Sequence, residues 1–148
     1  MDEELMFLAN LNEREWLRGR KLTALWQESG SFKKVFREVG GEVENTIEKR
    51  YLRKGINLIP FWSEFYPVYL NEVSGKPLLL YVKGNFNLLK ERMVALVGTR
   101  NPSRAAKDKI RMVLGRFKGA VVVSGLARGT DRLAHEKALV QKLPTVAV

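Results

Sequence analysis

Two spacings of apolar positions divide the chain. Over the first 55 residues the apolar side chains recur at helical intervals. Glu3 to Asn10 forms a short periodic piece, and from Asn12 a longer one carries Trp16, Leu22, Leu25 and Trp26 near one face. Asn12 with Glu15 three residues later matches a capping box. Gly30-Ser31 interrupts the pattern, and Ser31 is placed to cap a short helix bearing Phe32, Val35 and Phe36. Gly40-Gly41 interrupts it again before a charged helix from about Glu42 to Lys54. The pattern predicts a small bundle of short helices, with its aromatic residues in the core rather than forming a ligand platform.

From residue 56 the period changes. Ile56 to Pro60 and Leu78 to Val82 are short extended runs, with Tyr66-Pro67 as a turn and Gly84-Asn85 closing the second. Met93 to Val97 is a third run ended by Gly98, Val121 to Val123 a fourth ended by Ser124-Gly125, and Thr145 to Val148 a fifth. Helical patterns over Ser103–Phe117 and Thr130–Gln141 separate the last three. Apolar β-formers alternating with amphipathic helices predict buried parallel strands in a βαβαβ unit. The expected fold is therefore α/β. A helical domain over 1–55 precedes a partial Rossmann-like domain over 56–148, the first half of a mostly parallel three-layer α/β/α sheet. No internal repeat or low-complexity segment is visible.

Composition narrows the class. At 148 residues, 45% hydrophobic and 28% charged, the chain has a globular composition. No apolar run approaches the roughly 20 residues that span a bilayer. The start, Met1-Asp2-Glu3-Glu4, is acidic where a secretory signal carries basic residues, so a cytoplasmic protein with no membrane partner is expected. With no cysteine there is no thiolate chemistry, disulfide, cysteine-ligated zinc or iron–sulfur site. The net charge of +10 is unevenly spread: residues 1–62 hold 11 basic and 10 acidic side chains, residues 63–148 hold 15 and 6. A positive field confined to the second part suits a polyanionic partner, against the plainer alternative of a solvated basic surface.

Candidate chemistry sits at the two strand–glycine–helix junctions, where open α/β sheets bind ligands and helix N-termini present free N–H groups. At the first, Gly98 lets an anion approach the backbone, Thr99 offers a hydroxyl, and Arg100 a guanidinium able to grip a phosphate. Ser103 reads as the N-cap of the next helix, with Pro102 before it. At the second, Ser124, Gly125 and Gly129 frame a loop of small residues, Arg128 and Arg132 add charge at the rim, and Thr130 or Asp131 is placed to cap the helix. Neither junction matches the dinucleotide fingerprint or the NTPase phosphate loop, so no cofactor is expected. His135 is the only histidine, four residues after Asp131. That i,i+4 pair is placed to hydrogen-bond and fix the helix start, a structural or orienting role set against a catalytic one. No catalytic or metal site is assigned, and an enzyme is not expected.

The motifs Tyr66-Pro67-x-x-Leu70, PLLLYVKGN from Pro77 to Asn85, VALVGTR from Val94 to Arg100, and VVSGLARGTD from Val122 to Asp131 followed by Ala134-His135 resemble the DNA processing protein A (DprA/Smf) family over residues 56 to 148. The helical first 55 residues resemble the family's N-terminal domain, of SAM or helix-hairpin-helix type. The resemblance implies a non-enzymatic protein that binds single-stranded DNA, protects it, and assists loading of the RecA recombinase in natural transformation, competence and DNA recombination. It implies that Arg100 contacts DNA and that Gly98, Thr99, Ser124 and Gly125 shape the pocket. The chain departs from the family at three positions: Ala105-Ala106 replaces a Tyr-Gly-like pair, and Thr130 replaces the usual isoleucine.

The family pattern continues past Val148 with the rest of the sheet, more basic pocket residues and a dimer surface. The expectation is thus half a site, weaker DNA affinity, and a last strand whose edge pairs with another copy or is covered by the N-terminal helices. Two rivals remain. One is a nucleotide phosphoribohydrolase of the lysine-decarboxylase-like type, whose Pro-Gly-Gly-x-Gly-Thr-like loop and catalytic glutamate this chain lacks. The other is a remnant that binds nothing.

Overall fold

The computed structural model describes residues 2–148, which divide into two compact units, one ending at Leu89 and the other running over Lys90–Val148. The first unit holds helices α1 (Glu3–Asn12), α2 (Arg20–Ser29), α3 (Phe32–Val39) and α4 (Ile47–Leu52), with strands β1 (Ile56–Pro60) and β2 (Leu79–Lys83). Asp2 caps α1, and Glu3 and Glu4 occupy its first turn, where the helix dipole favours acids. Ser31 caps α3 as the sequence predicts. The Glu4 carboxylate reinforces that start, accepting from Ser31 Oγ and from the Phe32 amide, each at 2.7 Å. Strands β1 and β2 pair antiparallel from Ile56↔Lys83 to Pro60↔Leu79. Leu58, Leu78 and Leu79 complete the core built by Leu8, Leu11, Leu17, Leu22, Phe32, Val35 and Ile47. For that reason the hairpin belongs to the helical unit. The change of sequence period at residue 56 and the change of compact unit after Leu89 are different boundaries.

Two helices differ from the expected pattern. Asn12 closes α1 instead of capping the next helix, so no capping box forms with Glu15. Gly19, at φ 64°, then breaks the expected long helix. Trp16 sits in a separate 3-10 turn (Glu15–Leu17) and is 59% exposed, outside the core. The charged helix expected from Glu42 begins only at Ile47, because buried Asn10 captures the chain ahead of it. Its Oδ1 accepts from the Glu44 amide at 2.8 Å, and its Nδ2 donates to the carbonyls of Met6 at 2.9 Å and Glu44 at 3.2 Å. Satisfying a buried amide outweighs one further helical turn.

Glu13 ties α1 to α4, accepting from the Tyr51 hydroxyl and pairing with Arg50 Nη2 at 3.1 Å. Burial pushes its carboxyl up, but the Tyr51 and Arg50 hydrogen bonds and the charges of Arg50 and Arg18 hold it below the ordinary glutamate value. Burial and the bond to Glu13 push the Tyr51 phenol above its usual range. A carboxyl depressed in the folded state contributes stability that is present above its unfolded pKa and lost as pH falls through the folded one. Glu13→Gln is expected to flatten the acid limb of stability in urea melts over about pH 2–6. An unchanged acid limb would show that Glu13 does not contribute to it.

The second unit holds β3 (Met93–Ala95), α5 (Arg104–Leu114), β4 (Val121–Ser124), α6 (Thr130–Val140) and β5 (Thr145–Ala147). The three strands are parallel in the order β3-β4-β5, with Val94↔Val122 and Val122↔Thr145 in register. Both crossover helices lie on one face: Ile110 and Leu114 of α5 and Ala134 and Ala138 of α6 pack with Val122, flanked by Val94 and Leu96. The mixed helix-and-sheet class and the parallel βαβαβ connection are as the sequence predicts. Among the described residues no helix is long and apolar enough to cross a membrane.

Candidate functional site

The junctions after β3 and β4 are locked to each other. Leu96 extends the β3–β4 ladder, donating its amide to Val123 O at 2.9 Å, while its carbonyl accepts from buried Ser124 Oγ at 2.6 Å. Beyond this latch, Val97, Gly98, Thr99, Arg100 and Asn101 form an exposed loop. The Thr99 carbonyl accepts from both the amide and the hydroxyl of Thr130, each at 3.0 Å. A Cβ on Gly98 would lie 2.7 Å from Thr130 Oγ1, and one on Gly129 would lie 2.6 Å from Arg100 Cα. Both glycines are therefore required by close approach, and Gly129 also by its φ of 95°. Thr99 Oγ1 accepts from the Asn101 amide at 3.2 Å and rounds the turn.

The predicted residues take distinct places. Gly98, Thr99, Arg100 and Gly129 come together, while Ser124 works from beneath as the latch. Ser103 caps α5, accepting from the Ala106 amide at 3.2 Å. Neither Thr130 nor Asp131 caps α6. Gly129 holds the cap position without a side-chain bond, and the Thr130 hydroxyl is turned to the other loop instead. Asp131 lies over Gly125, whose added Cβ would meet its Oδ2 at 2.6 Å. Arg132 pairs with Glu136 at 2.6 Å, and that carboxylate pushes its guanidinium pKa up. Arg100 and Arg128 are exposed and available to solutes.

His135 does not pair with Asp131 as the spacing predicts. Its Nδ1 lies 2.6 Å from Thr145 Oγ1 and its Nε2 2.9 Å from Gly125 O, while Thr145 Oγ1 donates to Val122 O at 2.9 Å. The ring reaches across to β5 and holds the second turn by the Gly125 carbonyl. Ser124 and His135 form no nucleophile–base pair, since the serine hydroxyl is given to Leu96 O. Sequence reasoning missed Thr145. A lone hydroxyl opening an apolar strand was the available signal.

A cavity of about 540 Å³ in the first unit is lined by Arg18, Leu22, Tyr51, Leu79 and Tyr81 among others. Its polar atoms are largely engaged with one another: Tyr51 with Glu13, and Tyr81 with Asn12 at 3.1 Å. No group of three His, Asp or Glu able to hold a metal occurs among the described residues.

A family model described as DNA recombination-mediator protein A matches residues 57–148. The chain is 39% identical over 101 residues to the DNA processing protein DprA of Bacillus subtilis, covering 66% of this chain and 34% of that protein. It is 40% identical over 106 residues to DprA of Streptococcus pneumoniae, covering 69% and 38%. The chain thus spans little more than a third of the length of these curated relatives. The X-ray structure of DprA from Streptococcus pneumoniae superposes with a TM-score of 0.64 at 25% identity, covering 97% of this chain and 55% of that one.

Proposed function

Because this chain belongs to the DNA recombination-mediator protein A family, we propose that its parallel-sheet unit binds single-stranded DNA at the junctions after β3 and β4. Its role there is protective and non-enzymatic: the strand is held for the RecA recombinase during DNA uptake and recombination. The observation that carries this reading is the interlocked pair of turns, with Thr130 and Gly129 pressed against the backbone of Thr99 and Arg100. That lock fixes an exposed loop whose guanidinium is free to grip a phosphate. Contacts of this kind give affinity without reading sequence.

The test is a titration of labelled oligo-dT and a matched duplex at several salt concentrations, with wild type and Arg100→Ala. Preference for the single strand and a negative salt slope are expected. A hydrogen bond to a charged group is worth about 1.5–3 kcal/mol, so Arg100→Ala is expected to weaken binding about tenfold to a hundredfold. Equal affinity of variant and wild type would place the site elsewhere.

A further inference from the structure

The charge of the second unit is not exhausted by the junctions. Residues 90–148 carry 13 basic side chains against 4 acidic ones. On α5, Arg104, Lys107 and Arg111 follow one another at intervals of three and four residues, which places them in a single stripe along the helix. All three are exposed. Among the described residues Arg132 pairs with Glu136 on α6, whereas Arg104, Lys107 and Arg111 take part in no ion pair. The buried residues Ile110 and Leu114 fasten the same helix to the sheet, so the stripe is carried on a fixed support.

The helix dipole favours Arg111, in the last turn of α5, but not Arg104 and Lys107 in its first. The first turn of α5 contains no acid and carries Arg104 and Lys107, cations at the positive end of the helix dipole. Of the other helices, α1, α4 and α6 carry acids in the first turn, while α2 and α3, like α5, carry none. A row of phosphates along α5 would offset the mismatch. The stripe also begins four residues after Arg100, so it continues directly from the exposed loop.

We propose that Arg104, Lys107 and Arg111 form a second contact surface on α5 for single-stranded nucleic acid, taking successive phosphates of a strand already engaged at the junctions. This rests on the proposed function above. From Arg104 to Arg111 the helix rises about 10 Å, the length of roughly three stacked nucleotides. The chemistry recognised is a flexible polyanion with regularly spaced charges. Binding is independent of base identity and becomes stronger with strand length.

The experiment compares the full chain with an Arg104→Gln/Lys107→Gln/Arg111→Gln variant, binding labelled oligo-dT of about 5 and about 20 nucleotides over a salt series. Glutamine is a good helix former, so α5 is retained, and circular dichroism checks this. On the long strand the variant is expected to lose about two units of salt slope, at about 0.7 per phosphate contact for single strands. On the short strand it is expected to match wild type. An Arg104→Lys/Arg111→Lys variant keeps the charge and is expected to keep the slope. An unchanged slope on the long strand overturns the proposal, as does equal weakening on both lengths or absence of strand binding by wild type. The junction reading fails separately. If Arg100→Ala has no effect while the glutamine variant loses slope, the stripe stands and the junction site does not.

Discussion

Replacing Gly129 with alanine is expected to remove most single-strand binding, more completely than loss of any one charged side chain. Gly129 opens α6 at φ 95°, ψ −127°, a conformation that side chains on L-residues disfavour. Its Cα faces the backbone of Arg100, and a methyl group there would come within 2.6 Å of Arg100 Cα. Backbone cannot rotate aside as a side-chain end can. Conformational strain of about 1–3 kcal/mol and overpacking of about 1–3 kcal/mol both apply, and either is relieved only by moving the 98–101 loop. Strain and clash are separable by comparison with Gly30→Ala, where φ is 72° and nothing lies within 4 Å of the added carbon. Gly30→Ala is expected to lower stability modestly and leave binding unchanged. Wild-type affinity in Gly129→Ala would mean that the lock between the turns does not support the site.

Leu114→Ala is expected to give the largest loss of stability in the second unit. Leu114 is fully buried on α5, in a cluster with Ile110, Val122, Ala134, Ala138 and Leu143. Leucine-to-alanine changes in cores lose about 2–5 kcal/mol, the larger values where the site cannot collapse. Two of the neighbours are alanines on α6, with no flexible side chain to fill the space. The upper part of that range is therefore expected, seen as a lower urea midpoint with an unchanged m-value. A loss below about 1 kcal/mol would show that α5 settles onto the sheet and closes the cavity. Oligonucleotide binding at low temperature should survive this change, since Leu114 belongs to the helix–sheet core and not to the junction loop. Gly129→Ala should show the reverse balance.

The two variants correspond to different levels of information in the chain. The cluster around Leu114 was largely legible, because apolar residues at helical spacing between β-rich runs require a helix packed on a sheet. The Gly98 and Gly129 turns were legible as turns. What the turns touch was not. Thr130 was expected to cap α6, and only the fold brings its hydroxyl to Thr99 O, 31 residues away in sequence. His135 likewise had an eligible partner one helical turn back, yet bonds Thr145 and Gly125. Local spacing identifies groups able to meet within a helix. It does not report partners delivered by a neighbouring strand and loop.

The first unit separates the same two levels. Composition and period identified helices, their apolar faces and the Ser31 cap, because these depend on interactions within a few residues. Tertiary structure decided that Asn10 would hold residue 44 out of a helix, that Gly19 would separate Trp16 from α2, and that β1 and β2 would close as an antiparallel hairpin over the helices. Each outcome depends on satisfying a buried polar group or filling a core with residues distant in sequence. By itself the sequence determined the α/β class, the parallel connection, the concentration of positive charge in the second unit, and the glycines at two strand ends. Only the folded chain decided that those two ends would lock together through Thr99, Thr130, Gly129 and Arg100, because hydrogen-bond satisfaction and close packing between separate loops exist only once both loops are in place.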